Sequence, residues 1–233
     1  MRIVDTFNHR NGKDILESPQ FRDSFHEFMD VLPWLPPYRS AKTKKTSIQH
    51  VVAPSAMNRW LDNELCITRD WDWHPLIINA DPDDQSGKSG LRSDYRKDRI
   101  EVEVQFGNVA RYTYDIYKMA ISLAREQADV GIMVVSTKRF AGIIGGNIAY
   151  FERAVRELAH SRLTLIVPLV VIGVEPETWM IDGYPAESEA PNVTAELINA
   201  VRLSRGKPPV PAEPDDASSP SLDELRLLAE RVA

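Results

Sequence analysis

Residues 94–108 read Asp94-Tyr95-Arg96-Lys97-Asp98-Arg99-Ile100-Glu101-Val102-Glu103-Val104-Gln105-Phe106-Gly107-Asn108. Ile100, Val102, Val104 and Phe106 alternate with Glu101, Glu103 and Gln105, the period-two pattern of a β-strand with one apolar face. Residues two apart on a strand share a face, so the polar three point the same way. Asp94 ends a polar loop nine residues before Glu103, and a turn between adjacent strands would bring it alongside. Two oxygen ligands converging at a sheet edge suit Mg²⁺, with Mn²⁺ as a substitute, because such an ion keeps several waters and takes further oxygens from a phosphate. A metal so held polarises a phosphate and activates water. Gln105 takes no proton at neutral pH and is left to orient water or lend its carbonyl. A plain solvated strand face accounts for the same residues, and spacing alone leaves open whether Glu101 or Glu103 is the ligand.

Outward from this stretch, apolar periodicity predicts an alternation of strands and helices. A short strand opens the chain at Arg2–Thr6. Ser18-Pro19 reads as a helix start, with Phe21, Phe25, Phe28, Met29 and Leu32 on one face, and Pro33, Pro36 and Pro37 end that helix. A second helix begins near Ser55 and carries Met57, Trp60, Leu61 and Leu65. Pro75–Ala80 is a short strand and residues 81–93 are loop-like. Tyr112–Arg125 reads as a helix with Ile116, Met119, Ala120 and Leu123 inward. Val130–Ser136 is a strand, Asn147–Arg162 a helix and Leu163–Val174 a strand. The pattern predicts an α/β fold with a central mixed β-sheet flanked by helices. Residues 1–207 form one domain in this reading. Residues 208–233 form a Pro/Ser/Asp-rich linker and a small terminal helix over Leu222–Val232.

The chain has 233 residues, 43% of them hydrophobic, enough for a real core. No apolar run is long enough to span a membrane, and the opening residues lack the order of a signal peptide. Cys66 is the single cysteine, which excludes an internal disulfide, argues against a cysteine-based zinc site and predicts a cytoplasmic location. The net charge is −6, but residues 212–233 hold six acids against two basic residues and so carry −4 of it. Local basic patches matter more for nucleic acid than the total. One is Arg39, Lys42, Lys44 and Lys45, which a solvated basic loop explains equally well.

Other motifs are weaker. The five histidines are scattered without an i,i+4 pair, and structural or surface roles suit them. Residues 142–147 look like a phosphate-cradling loop before a helix, yet lack the lysine and spacing of a P-loop, so no nucleotide cofactor is expected, and a plain loop at a helix start accounts for them equally well. Ser136, Thr137, Lys138 and Arg139 follow a strand and would meet phosphates or base edges, or simply form a polar turn.

The segment Asp-x(8)-Glu-Val-Gln-Phe-Gly, at Asp94, Glu103 and Gln105, resembles the catalytic segment of the type II restriction endonucleases of the BglII/BstYI (BamHI-like) group. That group belongs to the PD-(D/E)XK nuclease superfamily, with glutamine in place of the usual lysine. The opening MRIVDTFNHRNG, Tyr114-Asp115 with Lys118, Asp129-Val130-Gly131, Tyr150-Phe151-Glu152 and residues 167–173 also have counterparts there. The resemblance spans residues 1–176 and stops there. It implies a restriction-endonuclease-like fold and Mg²⁺-dependent cleavage of double-stranded DNA. It makes Asp94 and Glu103 the metal-binding carboxylates and Gln105 the stand-in for lysine. It also implies that Asn108 meets the recognition site, with Ser136, Lys138, Arg139, Gly146 and Asn147 as further DNA contacts. The BstYI branch has lysine at the place of Asn108, which leaves the outer base pair unassigned. A homodimer reading a palindrome and a cognate DNA methyltransferase are the expected partners. A repair or structure-selective nuclease of the same fold, or a non-catalytic DNA-binding protein, are the rival readings. A metabolic α/β enzyme rests on composition alone.

Overall fold

The computed structural model describes residues 1–40, 51–79, 90–161 and 166–210. The strands are β1 (Arg2–His9), β2 (Asp72–Trp73), β3 (Leu76–Ile78), β4 (Leu91–Arg92), β5 (Tyr95–Lys97), β6 (Ile100–Gln105), β7 (Val130–Ser136) and β8 (Leu169–Glu175). The α-helices are α1 (Gly12–Leu16), α2 (Arg22–Val31), α3 (Pro54–Leu61), α4 (Val109–Ala124), α5 (Lys138–Ile144), α6 (Phe151–His160) and α7 (Ala195–Ser204). Six strands form one mixed sheet in the order β1-β8-β7-β6-β5-β2, and β3 pairs with β4 beside it. The central three, β6, β7 and β8, run parallel, joined by helical crossovers. The outer strands are antiparallel to their neighbours.

β7 and β8 are buried along their whole length, as continuous apolar strands in the middle of a covered sheet must be. One sheet face packs Ile100, Val102, Ile132, Val134, Val170 and Ile172 against the apolar faces of α2 and α3. The other packs Met133, Val135, Leu169 and Val171 against Ile116 and Met119 of α4 and Phe151, Ala154 and Leu158 of α6. A β-carbon at Gly131 would lie 2.6 Å from the Met119 sulfur, so glycine in β7 is what lets α4 approach so closely.

Several element boundaries differ from the sequence-based expectation. β1 continues to His9. α2 begins at Arg22, because the Ser18 carbonyl closes a turn with the N–H groups of Phe21 and Arg22. α1 is too short to carry an apolar period. α3 runs on from Leu61 into a π-helical stretch, Asp62–Thr68, and α4 starts at Val109. α6 starts at Phe151, not Asn147: Asn147 is left-handed (φ 60), and Ile148 and Tyr150 form bridges to Asn108 and Ser136. β8 begins at Leu169. Lys42, Lys44, Lys45, most of the 81–93 loop and the terminal helix at Leu222–Val232 lie outside the described residues. α7, beyond the reach of the resemblance, is fastened to the π-helical stretch and β2. Arg202 pairs with Asp72 at 2.8 Å, Lys207 with Asp70 at 2.9 Å, and Arg205 donates to the Cys66 carbonyl.

Candidate active site

A two-residue turn fixes the register of the site. Asp98 and Arg99 both adopt left-handed backbone, φ 47 and 66, the hairpin geometry whose twist matches that of the flanking strands. Ser24 donates to Asp98 at 2.5 Å and Arg99 pairs with Asp129 at 2.6 Å, so side chains hold a conformation usually left to glycine. The turn pairs Tyr95 with Val102 and Arg96 with Glu101. One position further, Asp94 falls opposite Glu103, and its Oδ2 accepts the Val104 N–H at 2.8 Å. A one-residue slip would turn Glu103 to the other face.

The polar face of β6 is not solvated. Glu101, Glu103 and Gln105 are 0%, 1% and 8% exposed, because α4 covers them with a polar stripe of its own. Asp115, Lys118 and Ser122 stand three and four apart, on one helical face. Each such step rises about 5 Å along a helix, close to the roughly 7 Å of two strand residues, so the two rows meet pair by pair. Gln105 Nε2 donates to Asp115 at 2.8 Å. Lys118 Nζ donates to Glu103 Oε2 at 2.6 Å and pairs with Asp115 at 2.9 Å. Arg96 Nη2 donates to Glu101 Oε2 at 2.8 Å and to Ser122 at 3.0 Å. The Gln105 carbonyl accepts the Gly107 N–H at 2.8 Å, and a β-carbon at Gly107 would stand 2.8 Å from that oxygen.

Burying carboxylates costs several kcal/mol each unless they are paired, and here Asp94, Glu103 and Asp115 share one ammonium. Burial raises the Asp94 carboxyl to about 6, with Lys118 and the Val104 N–H opposing. Burial and then the charge of Asp94 push Glu103 well above the ordinary range. Burial pulls Lys118 down, but Glu103, Asp115 and Asp94 outweigh it and hold its ammonium above the ordinary value. Glu103 Oε1 is buried without a hydrogen-bond partner and belongs to a residue that lines a cleft of about 940 Å³. Asp94, Gln105, Asn108, Arg111 and Tyr114 line the same cleft. Glu101 Oε1 is also unpartnered, but Glu101 does not line the cleft. No group of three or more His, Cys, Asp or Glu placed to hold a metal ion by itself occurs among the described residues. Two carboxylates, one with an uncommitted buried oxygen, opening on a polar cleft fit an ion that draws its remaining oxygens from water and phosphate.

The structure thus brings Asp94, Glu103 and Gln105 together. Asn108 is exposed at the start of α4, its Oδ1 accepting from the Ala110 N–H at 2.9 Å and from Asn147 Nδ2 at 3.2 Å. Val109 N–H to Asn147 carbonyl and Ala149 N–H to Gly107 carbonyl tie the two loops together, so Gly146 and Asn147 sit exposed beside Asn108. Lys138 and Arg139 are exposed at the start of α5, and the Arg139 guanidinium stacks 3.7 Å over Trp179. Ser136 is different: it is fully buried, and its hydroxyl donates to the Ala149 carbonyl at 2.8 Å. It faces the loop that carries Asn147, with no surface to offer a ligand. His74 comes close in space, its backbone N–H donating to the Asp94 backbone carbonyl at 3.0 Å. Burial, then Arg92 and Lys118, lower its pKa to about 4, so it is neutral near pH 7. Asp115 and Lys118 are the site residues that sequence reasoning did not assign. The usable signal was a polar pair inside the apolar face of a helix.

The family model for restriction endonuclease BglII/BglIII matches residues 4–174. No curated protein sequence matches. Among solved structures, the restriction endonuclease BglII complexed with a DNA 16-mer superposes with a TM-score of 0.61 at 20% identity, covering 76% of this chain and 81% of that one. Free BglII gives 0.55 at 20% identity, covering 77% and 82%. At that identity the likeness speaks for the fold.

Proposed function

The chain belongs to the restriction endonuclease BglII/BglIII family, and on that footing we propose that it is a type II site-specific deoxyribonuclease cutting a palindromic double-stranded DNA site. The observation that carries the catalytic reading is that Asp94, held by the Val104 N–H, and Glu103 line one cleft, with Glu103 Oε1 left uncommitted beside it. Asp94 and Glu103 would hold Mg²⁺ or Mn²⁺. Such an ion polarises the scissile phosphate and lowers the pKa of bound water. Gln105, with one N–H held by Asp115 and its carbonyl by Gly107, is fixed in place and uncharged; its remaining donor orients water. The products would be 3′-hydroxyl and 5′-phosphate ends.

The site we propose is six bases with GATC at its centre, cut to leave four-base 5′ overhangs. One chain holds one copy of the motif, so two-fold protein symmetry would match the palindrome. Light scattering should give the mass of a dimer at concentrations where the protein binds its site. A DNA methyltransferase of the same specificity is the partner such an activity calls for. Digestion of a plasmid of known sequence with Mg²⁺, followed by sequencing of the ends, tests the whole reading. Discrete fragments with a common palindromic consensus support it. Sequence-independent cutting would favour a repair or structure-selective nuclease, and binding without cutting a non-catalytic DNA-binding protein.

A further inference from the structure

We infer that Lys118 is the catalytic cation of this centre, presented from α4 to the phosphate being cut; the inference rests on the nuclease reading above. Hydrolysis forms a bond between the oxygen of water, which gives up a proton to solvent, and phosphorus, and breaks the bond from phosphorus to the 3′ oxygen, which leaves and takes up a proton from solvent. Negative charge builds on the phosphoryl oxygens between those events. A cation held ready beside them stabilises that charge without reorganisation. The residue that shares the strand face with Glu103 on the cleft side, Gln105, carries no charge and is held by Asp115 and Gly107 with a single N–H to spare. Among the described residues, Lys118 is the one cation in contact with Glu103 or Asp115.

The division of oxygens makes this more than neutralisation. Lys118 takes Glu103 Oε2 and leaves Oε1 without a partner, so an ammonium and a divalent ion do not compete for one oxygen. An ammonium has three donors. Two go to Glu103 and Asp115, and the third remains for an oxygen entering the cleft that Lys118 itself lines. The lysine is 7% exposed, and both carboxylates fix its head group. It is therefore preorganised in a way that an exposed lysine is not.

The test uses the full-length protein and three variants, Lys118→Met, Lys118→Arg and the double variant Lys118→Met/Gln105→Lys. Single-turnover cleavage of a duplex carrying the wild-type cut site is measured with Mg²⁺. Mn²⁺ binding is measured separately from the paramagnetic resonance signal of the free ion. Lys118→Met should cut about a hundredfold or more slowly, while binding Mn²⁺ as well as wild type or better, since a neighbouring positive charge has gone. Lys118→Arg should keep more activity than Lys118→Met. Gln105→Lys, placed where the native amide already meets Asp115, should return about tenfold of the lost rate. If Lys118→Met fails to fold, Lys118→Gln, which keeps a donor but no charge, replaces it with the same expectations. Cleavage by the charge-free variant within a few-fold of wild type, loss of Mn²⁺ binding in step with loss of cleavage, or absence of rescue would each overturn the inference. Failure of the wild type itself to cut DNA would overturn the nuclease reading instead.

Discussion

Arg96 pairs with Glu101 at 2.8 Å on the same strand pair, and two residues along the ladder from, the point where Asp94 falls opposite Glu103. That pairing sorts two glutamates that the spacing of β6 leaves equivalent. Glu101 has a guanidinium of its own and lies beneath α4. Glu103 shares its ammonium with Asp115 and reaches the cleft.

Asp94→Asn and Glu103→Ala should therefore abolish cleavage while leaving specific DNA binding largely intact, because neither side chain is assigned to a base. Gel shifts with Ca²⁺ and cleavage assays with Mg²⁺ separate the two effects. Glu101→Ala should cut, per folded molecule, far better than either. It should also be less stable by about 1–3 kcal/mol, because it leaves a largely buried guanidinium with Ser122 but no carboxylate. Near-complete loss of cutting in folded Glu101→Ala would reverse the assignment of the two glutamates.

Without metal, the site should weaken the fold. The Asp94 carboxyl is raised by burial to about 6, from an ordinary value near 4. A raised acid favours the folded state in its protonated form, so that contribution is present below about pH 4 and lost as pH rises through about 6. Glu103 is shifted in the same direction. Metal-free Glu103→Gln should thus be more stable than wild type at pH 8 by roughly 0.5–2 kcal/mol and melt higher, as substitutions that relieve a functional site commonly do. Mg²⁺ should raise the melting temperature of the wild type and leave that of the variant unchanged. Equal melting temperatures without metal would show that Lys118 already compensates the carboxylates.

Mg²⁺ or Mn²⁺ should be required for cleavage, and Ca²⁺ should support binding without turnover, since the donors are hard oxygens and water must be activated. Protons compete with the ion for Asp94, so Mg²⁺ affinity should fall as pH drops below about 6. Titration calorimetry at pH 5 and pH 8 measures this. Robust cutting in excess EDTA would sink the metal mechanism.

Periodicity made the parallel core legible, because β7 and β8 are short apolar runs and α4 and α6 carry apolar stripes. It also misled, and at the site itself. Alternation in β6 signals a strand with one wet face, yet the Glu101, Glu103 and Gln105 face is dry. Its cover is the Asp115, Lys118 and Ser122 stripe of α4, residues that a search for inward apolar positions passes over. Local pattern registers polarity, and only the fold reveals that two polar faces were made for each other. A turn between adjacent strands was enough to bring Asp94 alongside Glu103, and the resemblance gave it a role; the exact register depends on Asp98 and Arg99 in left-handed backbone, which few sequences without glycine announce. Ser136 sits at the end of a strand, where a polar residue suggests surface, but the loop carrying Asn147 folds over it and claims its hydroxyl.

The hydrogen bonds of Asn108 sharpen the expectation for a GATC-centred site. Its Oδ1 caps α4 through the Ala110 N–H and also accepts from Asn147, so both lone pairs are used. The bidentate adenine contact open to a free asparagine needs that oxygen. As the side chain stands, only its amide hydrogens remain, and they match an acceptor on a base edge: a purine N7, guanine O6 or thymine O4. Asn108→Ala should then fail twice, losing about 1 kcal/mol of stability with the helix cap and about 1–3 kcal/mol of discrimination with the base contact. Asn108→Asp separates the two. It keeps the cap, with a negative charge that favours a helix N-terminus, but has no donor for the base and repels the phosphates. It should fold as well as wild type and lose specificity at a single base pair of each half-site. Cleavage of a library of sites differing at each position, read by sequencing the ends, locates that pair. Unchanged specificity in Asn108→Asp would mean that Asn108 serves α4 alone, and that the neighbouring Gly146-Asn147 loop does the reading.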